Sequence, residues 1–139
     1  MTRVASRMAT PIITPWVPGP VREAATGPVV VSVTSLTSDR HWDLPGIAVT
    51  GLRLRLGWYA MPGAVGIWLW TLPGAARTGS ISVWTSTEDL RRFVGLPLHV
   101  DVMRRYRGRG TVLSTTWTEP TLGRSSVLAR ARRWIADPV

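Results

Sequence analysis

Four stretches constrain this chain most: VVVSVTSL at 29–36, AVGIWLWTL at 64–72, SISVWTS at 80–86 and TVLSTTW at 111–117. All are rich in β-branched and aromatic residues, and none carries a charge. Such runs, bounded by glycine, proline and polar turns, read as β-strands. In the first, Val29, Val31 and Val33 share one side while Ser32 and Thr34 share the other. In the second, Ile67 and Leu69 oppose Trp68 and Trp70; in the third, Ile81 and Val83 oppose Ser80, Ser82 and Trp84. In the fourth, Leu113, Thr115 and Trp117 oppose Val112, Ser114 and Thr116. A sheet with one face in water alternates apolar with charged or strongly polar residues. Neither side does so here, which predicts a sheet covered on both faces.

The segments between the strands supply the helices. IAVTGLRLRLGWYAM places Ile47, Leu52, Leu54, Leu56 and Tyr59 at spacings compatible with a helix, whereas the alternation in LRLRL suits a strand. PGAARTG, with Pro73-Gly74 and Gly79, suits a loop between antiparallel neighbours. Ser86 stands before Asp89 as an N-cap stands before N3, and Thr85 and Glu88 repeat that spacing one residue earlier. Leu90, Phe93 and Val94 fall on one face of the helix so begun; Gly95 interrupts it, and Pro97 presets the first turn of another. SSVLARARRWI predicts a terminal basic helix capped by Ser125 or Ser126.

The resulting order is the split βαβ arrangement of an α+β, ferredoxin-like sandwich with a four-stranded antiparallel sheet. An irregular Pro/Arg-rich arm over 1–28, with Trp16 available to dock on the body, precedes a domain over 29–120 and a basic helix over 121–139. Two helices cover only one face. The face carrying tryptophan, serine and threonine is therefore predicted to meet a second sheet, supplied by another copy of the chain in a two-fold dimer. Indoles and hydroxyls leave such an interior apolar yet able to hydrogen-bond, as small-molecule pockets are.

Composition removes several chemistries. With no cysteine there are no disulfides, thiolate sites or cysteine nucleophiles, and two histidines make a dedicated zinc site improbable. The net charge of +9 rests on 17 basic residues, all arginine. It suits a solvated surface, an anionic ligand or nucleic acid, but neither cluster, Arg104, Arg105, Arg107 and Arg109 or Arg130, Arg132 and Arg133, forms a familiar groove-reading motif. Residues 56–76 lack charge for 21 positions, yet Gly57, Pro62, Gly63, Gly66, Pro73 and Gly74 break the run. No membrane span and no secretory signal is read, so the expectation is a cytoplasmic chain with no membrane partner.

In LPLHVDVMRRYRGRG, His99 follows Pro97 on a first helical turn, with Val102, Met103 and Tyr106 three, four and seven residues on. That spacing turns the ring toward the sheet. A neutral imidazole there can accept a phenolic proton or ligate iron; equally, it can be a structural histidine bonded to a backbone carbonyl. Asp101 faces elsewhere, which argues against a Ser-His-Asp hydrolase. His41, in SDRHWD, is a loop residue that either gates a pocket mouth with Trp42 or is simply solvated. Trp68, Trp70, Trp84 and Trp117 form either an aromatic box or core packing. The arginines at 104 to 109 suit a helix C-terminus through its macrodipole, with Arg104 or Arg105 also able to pair an anion.

The stretch SISVWTSTEDLRRFVGLPLHVDVMRRYRGRG resembles the dimeric α/β-barrel superfamily, in the branch of antibiotic-biosynthesis, spheroidene and haem-degrading monooxygenases. The resemblance runs from about Val29 to Trp117 and is strongest from Thr78 on. It implies a homodimer of ferredoxin-like sheets with a pocket between sheet and helices. It also implies His99 as the axial ligand of a haem-binding member, with Phe93 where those enzymes carry tryptophan and Arg104 or Arg105 pairing a propionate. The asparagine they use on the first strand has no counterpart, since the chain has no asparagine; Ser32 or Thr34 would stand in. Cofactor-independent members oxidise anthrone- or quinol-like aromatics that activate oxygen themselves.

The reading is thus a monooxygenase-like homodimer using no cofactor or haem. It binds a planar hydrophobic molecule among Trp84, Phe93, Trp68, Trp70, Met103, Trp117, Ser32 and Thr34, with His99 as acid/base or ligand. The alternatives are a non-catalytic binding or stress-response module of the same fold, and arginine-mediated nucleic-acid binding.

Overall fold

A computed structural model describes residues 10–21 and 27–138. The elements in chain order are β1 (Ile12–Ile13), β2 (Val17–Pro18), β3 (Val29–Ser38), α1 (Leu44–Leu56), β4 (Ala64–Leu72), β5 (Arg77–Trp84), α2 (Thr87–Val94), α3 (Pro97–Arg107), β6 (Gly110–Glu119) and α4 (Arg124–Ala136). The fold is a ferredoxin-like α+β sandwich. Its sheet runs β1-β4-β5-β3-β6, with β2 also paired to β4, and every pairing is antiparallel. Because β3 and β4 both run antiparallel to β5, they are parallel to each other. Parallel strands need a crossover. This is why the ambiguous segment with LRLRL becomes a helix.

The α2–α3 hairpin follows its local signals. Ser86 Oγ accepts a hydrogen bond from the Asp89 backbone N–H at 3.1 Å and donates to Asp89 Oδ2 at 2.8 Å. Gly95 ends α2, and Pro97 opens α3. Elsewhere local signals mislead. Gly79 lies inside β5, opposite Ser35 and Trp70, where an added Cβ would strike the Thr34 carbonyl. The N-cap of α4 is Gly123, with no side-chain cap, and Ser125 and Ser126 are exposed. The described part of the arm is not wholly irregular: β1 and β2 pair with β4, and Trp16 docks with its ring centroid 4.4 Å from that of Trp68.

Cross-strand register decides what each face carries. Directly paired residues share a face, and Trp68 pairs with Ile81, Ile81 with Val33, Val83 with Val31, and Val31 with Trp117. Trp68, Trp70 and Trp117 therefore stand on the valine face. This corrects the expectation that they share a face with Trp84, which pairs with Val30 beside Ser32 and Ser82.

The valine face also has its own cover. Val127, Ala131 and Ile135, four residues apart on α4, have no exposed surface and pack on Val29, Val31, Val33 and the three tryptophans. Ile13, Trp16 and Val21 of the arm extend that cover. Arg77 fastens the end of α4: Nη1 donates to the Ile135 carbonyl at 2.8 Å, and Nε and Nη2 donate to Ser35 Oγ at 3.2 and 3.0 Å. Burial lowers the Arg77 pKa, and its guanidinium lies 5.4 Å from the Trp70 ring centroid. One chain thus supplies helices to both faces, and a second sheet is not required where α4 lies.

The other, hydroxyl-bearing face carries Val30, Ser32, Thr34, Ile67, Leu69, Ser80, Ser82 and Trp84. The packing of Leu90 and Phe93 against Val30, Ile67 and Trp84 sets α2 on this side, and Gly51 brings α1 against Leu69. Among the described residues no helix is long and apolar enough to cross a membrane.

Candidate functional site

Four rings meet on the hydroxyl face where β5 ends. Trp84 is the last residue of β5; the Ser86 cap then turns the chain so that α2 runs back over it, bringing Leu90 and Phe93, three apart, down onto the sheet. The Phe93 ring centroid lies 5.2 Å from that of Trp84. Trp58 enters from a 3-10 turn after α1 and stands edge-on to both, at 5.0 Å from Trp84 and 5.4 Å from Phe93. His99, on the first turn of α3, meets Phe93 edge-on at 4.9 Å. The spacings and tilts are those of favourable aromatic pairs, which contribute beyond simple area burial. The rings touch one another, so they form a wall and not a slot.

Hydrogen bonds orient two of these rings. Trp84 Nε1 donates to Ser82 Oγ at 2.9 Å, and Ser82 Oγ donates to the Ser32 carbonyl at 3.4 Å. His99 Nδ1 lies 3.1 Å from the Val94 carbonyl oxygen. A carbonyl only accepts, so Nδ1 carries the proton and Nε2 keeps the lone pair in the neutral ring. Burial lowers the His99 pKa from its ordinary 6.5, opposed by the hydrogen bond to Val94. Near neutral pH the ring is therefore an uncharged base with one nitrogen tied to the backbone. Trp58 Nε1, by contrast, is buried and has no hydrogen-bond partner among the described residues.

Of the residues singled out from sequence, Trp84, Phe93 and His99 come together. Ser32 and Thr34 lie on the same face; Thr34 Oγ1 is 3.0 Å from Ser80 Oγ, and Ser32 is buried. Met103 is half-buried one turn along α3 from His99. Trp68, Trp70 and Trp117 are separated from this group by the sheet and pack with α4, and the Arg130 guanidinium lies 4.5 Å from the Trp117 ring centroid. Arg104 and Arg105 are exposed, and among the described residues neither forms an ion pair. The His41 side chain lies outside the described positions, while Trp42 is exposed. Trp58 was not anticipated. It sits in a turn between glycines and apolar residues, and no periodicity there marks a functional position. Among the described residues no group of three or more His, Asp or Glu side chains could hold a metal ion.

No family model matches the sequence, and no curated protein matches it. Solved structures do match. A cofactor-independent oxygenase from Streptomyces nogalater, SnoaB, shares 19% identity over 68% of this chain and 95% of its own, with a TM-score of 0.55. The likeness is one of fold. A haem-degrading enzyme from Listeria monocytogenes, LmHde, shares 16% identity over 75% of this chain and 68% of its own, at a TM-score of 0.58. A ferredoxin-fold protein related to antibiotic biosynthesis monooxygenases, also from Listeria monocytogenes, shares 19% identity over 66% of this chain and 57% of its own, at 0.52. The architecture is thus the ferredoxin-like fold of these structures, the fold that the resemblance in sequence implied. Fold by itself does not carry the reaction.

Proposed function

We propose that the chain is a small-molecule monooxygenase that takes a planar, hydrophobic aromatic substrate, quinol- or anthrone-like, beside the half-buried rings of Phe93 and His99, with the fully buried Trp58 and Trp84 packed behind Phe93. The observation that carries this reading is the Nδ1 contact of His99 with the Val94 carbonyl. It holds the imidazole in the tautomer whose Nε2 accepts a proton, beside an apolar wall and with its pKa below the ordinary value. Nε2 removes a proton from the activated C–H or O–H of the substrate, and the resulting anion reduces dioxygen. One oxygen atom enters the substrate as a carbonyl and the other leaves as water. Ser32, Thr34 and Met103 complete the binding surface in this proposal, whereas Trp68, Trp70 and Trp117 serve the core.

Haem is a second candidate occupant. The lone pair on Nε2 would suit a bond to iron, and a ring nitrogen held by a carbonyl is the usual support for such a ligand. His99 would hold the iron, Arg104 or Arg105 would face the propionates, and haem would supply oxygen activation. Cytoplasmic work as a homodimer is part of the proposal. Val112 and Leu113, successive and therefore on opposite faces of the edge strand β6, are both exposed and leave apolar surface there for a partner copy.

The test is oxygen uptake with an anthrone and with a dihydroquinone, for the wild type and for His99→Ala, alongside a haemin titration. A fall in rate of about a hundredfold or more in the variant supports the acid/base role. Equal rates in the two proteins overturn it. A Soret band abolished by His99→Ala selects the haem version. A colourless protein that binds the aromatics and turns none of them over is the non-catalytic module.

A further inference from the structure

Helix α1 is apolar on the wrong side. Its inner face, Ile47, Thr50 and Gly51, lies half-buried toward the sheet. At 3.6 residues per turn, positions 45, 49, 52 and 56 fall within about 60° of arc on the opposite side. They carry Pro45, Val49, Leu52 and Leu56, all exposed: Val49 by 48%, Leu52 by 45% and Leu56 by 72%. Trp42, just ahead of the helix, is 73% exposed with the Arg40 guanidinium 5.8 Å from its ring centroid. An apolar stripe on a helix is ordinarily turned toward the core, not away from it. This one runs across the surface for about 20 Å by its rise per residue.

Two quantities choose the occupant. Trp42, Val49, Leu52 and Leu56 together expose on the order of 400 Å², about half of the roughly 800 Å² that each partner buries in a standard stable interface. A second copy would also bring its own charge of +9 against the same sign. Charge points the other way for an anionic surface. No acidic residue occurs between 44 and 87, Arg40 and Arg53 are exposed beside the stripe, and Asp43 is engaged by Arg109 at 3.6 Å. An exposed apolar stripe with a tryptophan and flanking arginines is what lies flat in a lipid headgroup region. We infer that the outer face of α1, from Trp42 to Leu56, docks on an anionic lipid bilayer, lying on it without spanning it. The expectation of no membrane partner rested on the lack of a span, which surface adsorption does not need. The inference does not depend on the proposed reaction.

The test is co-sedimentation of the full chain with vesicles of phosphatidylcholine alone and of phosphatidylcholine with one third phosphatidylglycerol. The wild type is compared with Leu52→Ser/Leu56→Ser, which leaves the net charge unchanged. Far-ultraviolet circular dichroism checks that the variant folds, as substitution at exposed positions should allow. The expected result is binding to the mixed vesicles that falls about tenfold per leucine removed, with little binding to phosphatidylcholine alone. Equal binding by wild type and variant would mean that arginines alone make the contact, and it overturns the inference. So does a failure to bind either vesicle, including the case in which the wild type sediments as a dimer and the variant as a monomer. Trp42→Ala, in which the helix itself is untouched, is expected to weaken binding in the same direction; no change there also counts against the stripe.

Discussion

Ile135 provides a direct test of how the valine face is covered. It has no exposed surface, it sits one turn beyond Ala131 on α4, and its carbonyl accepts the Arg77 hydrogen bond. Ile135→Ala keeps that carbonyl and removes three buried carbons. At about 0.8 kcal/mol per buried methylene the transfer loss is about 2.4 kcal/mol, and the cavity left by incomplete collapse brings the cost to about 3 kcal/mol. Against a typical stability of about 5–15 kcal/mol this is a large share. With a urea m-value of about 2 kcal/mol/M, the midpoint should fall by about 1.5 M. The assay is urea unfolding followed by tryptophan fluorescence, with Arg132→Ala as the exposed control on the same helix, expected within about 0.5 kcal/mol of wild type. If the Ile135→Ala midpoint moves no further than that of the control, α4 does not cover the valine face, and the case for a second sheet on that face returns.

Other outcomes follow from single contacts. Gly66→Ala places a Cβ against the far edge of the Trp16 indole; the arm should lift from Trp68 at a cost of about 1–2 kcal/mol, seen as a near-ultraviolet circular dichroism change with the far-ultraviolet spectrum retained. Gly79→Ala meets the Thr34 backbone carbonyl, which cannot swing away, so it should cost more than Gly66→Ala and lower the thermal midpoint further. The His99 pKa is lowered by burial, so the unfolded chain binds the proton more tightly than the folded one. Stability should be whole above pH 6.5 and decline as pH falls from there through the folded pKa, and His99→Gln should remove that part of the slope. A His99 ring proton signal, assigned by its loss in His99→Gln, that titrates at or above 6.5 would contradict this.

Much of the architecture was legible in local chemistry. β-branched alternation located the strands, Ser86 with Asp89 located the start of α2, and Gly95 followed by Pro97 located the break before α3, because capping and proline geometry act within a few residues. Phe93 was set beside His99 only by the family resemblance; the contact itself is made by the turn between α2 and α3. Trp58 was not legible, since nothing in a turn announces which distant ring it will meet.

Alternation assigns the residues of one strand to two sides, but not which side is shared with its neighbour. That depends on hydrogen-bond register, and a shift of one residue exchanges the faces. Thus Trp68, Trp70 and Trp117 were identifiable from sequence as sheet residues, while only the pairing of Trp68 with Ile81 and of Val31 with Trp117 put them across the sheet from Trp84. The cover on the valine face was likewise decided by tertiary structure: the fourfold spacing of Val127, Ala131 and Ile135 marks α4 as having an apolar side, but the surface that side lies against is chosen by long-range burial and by the Arg77 hydrogen bonds.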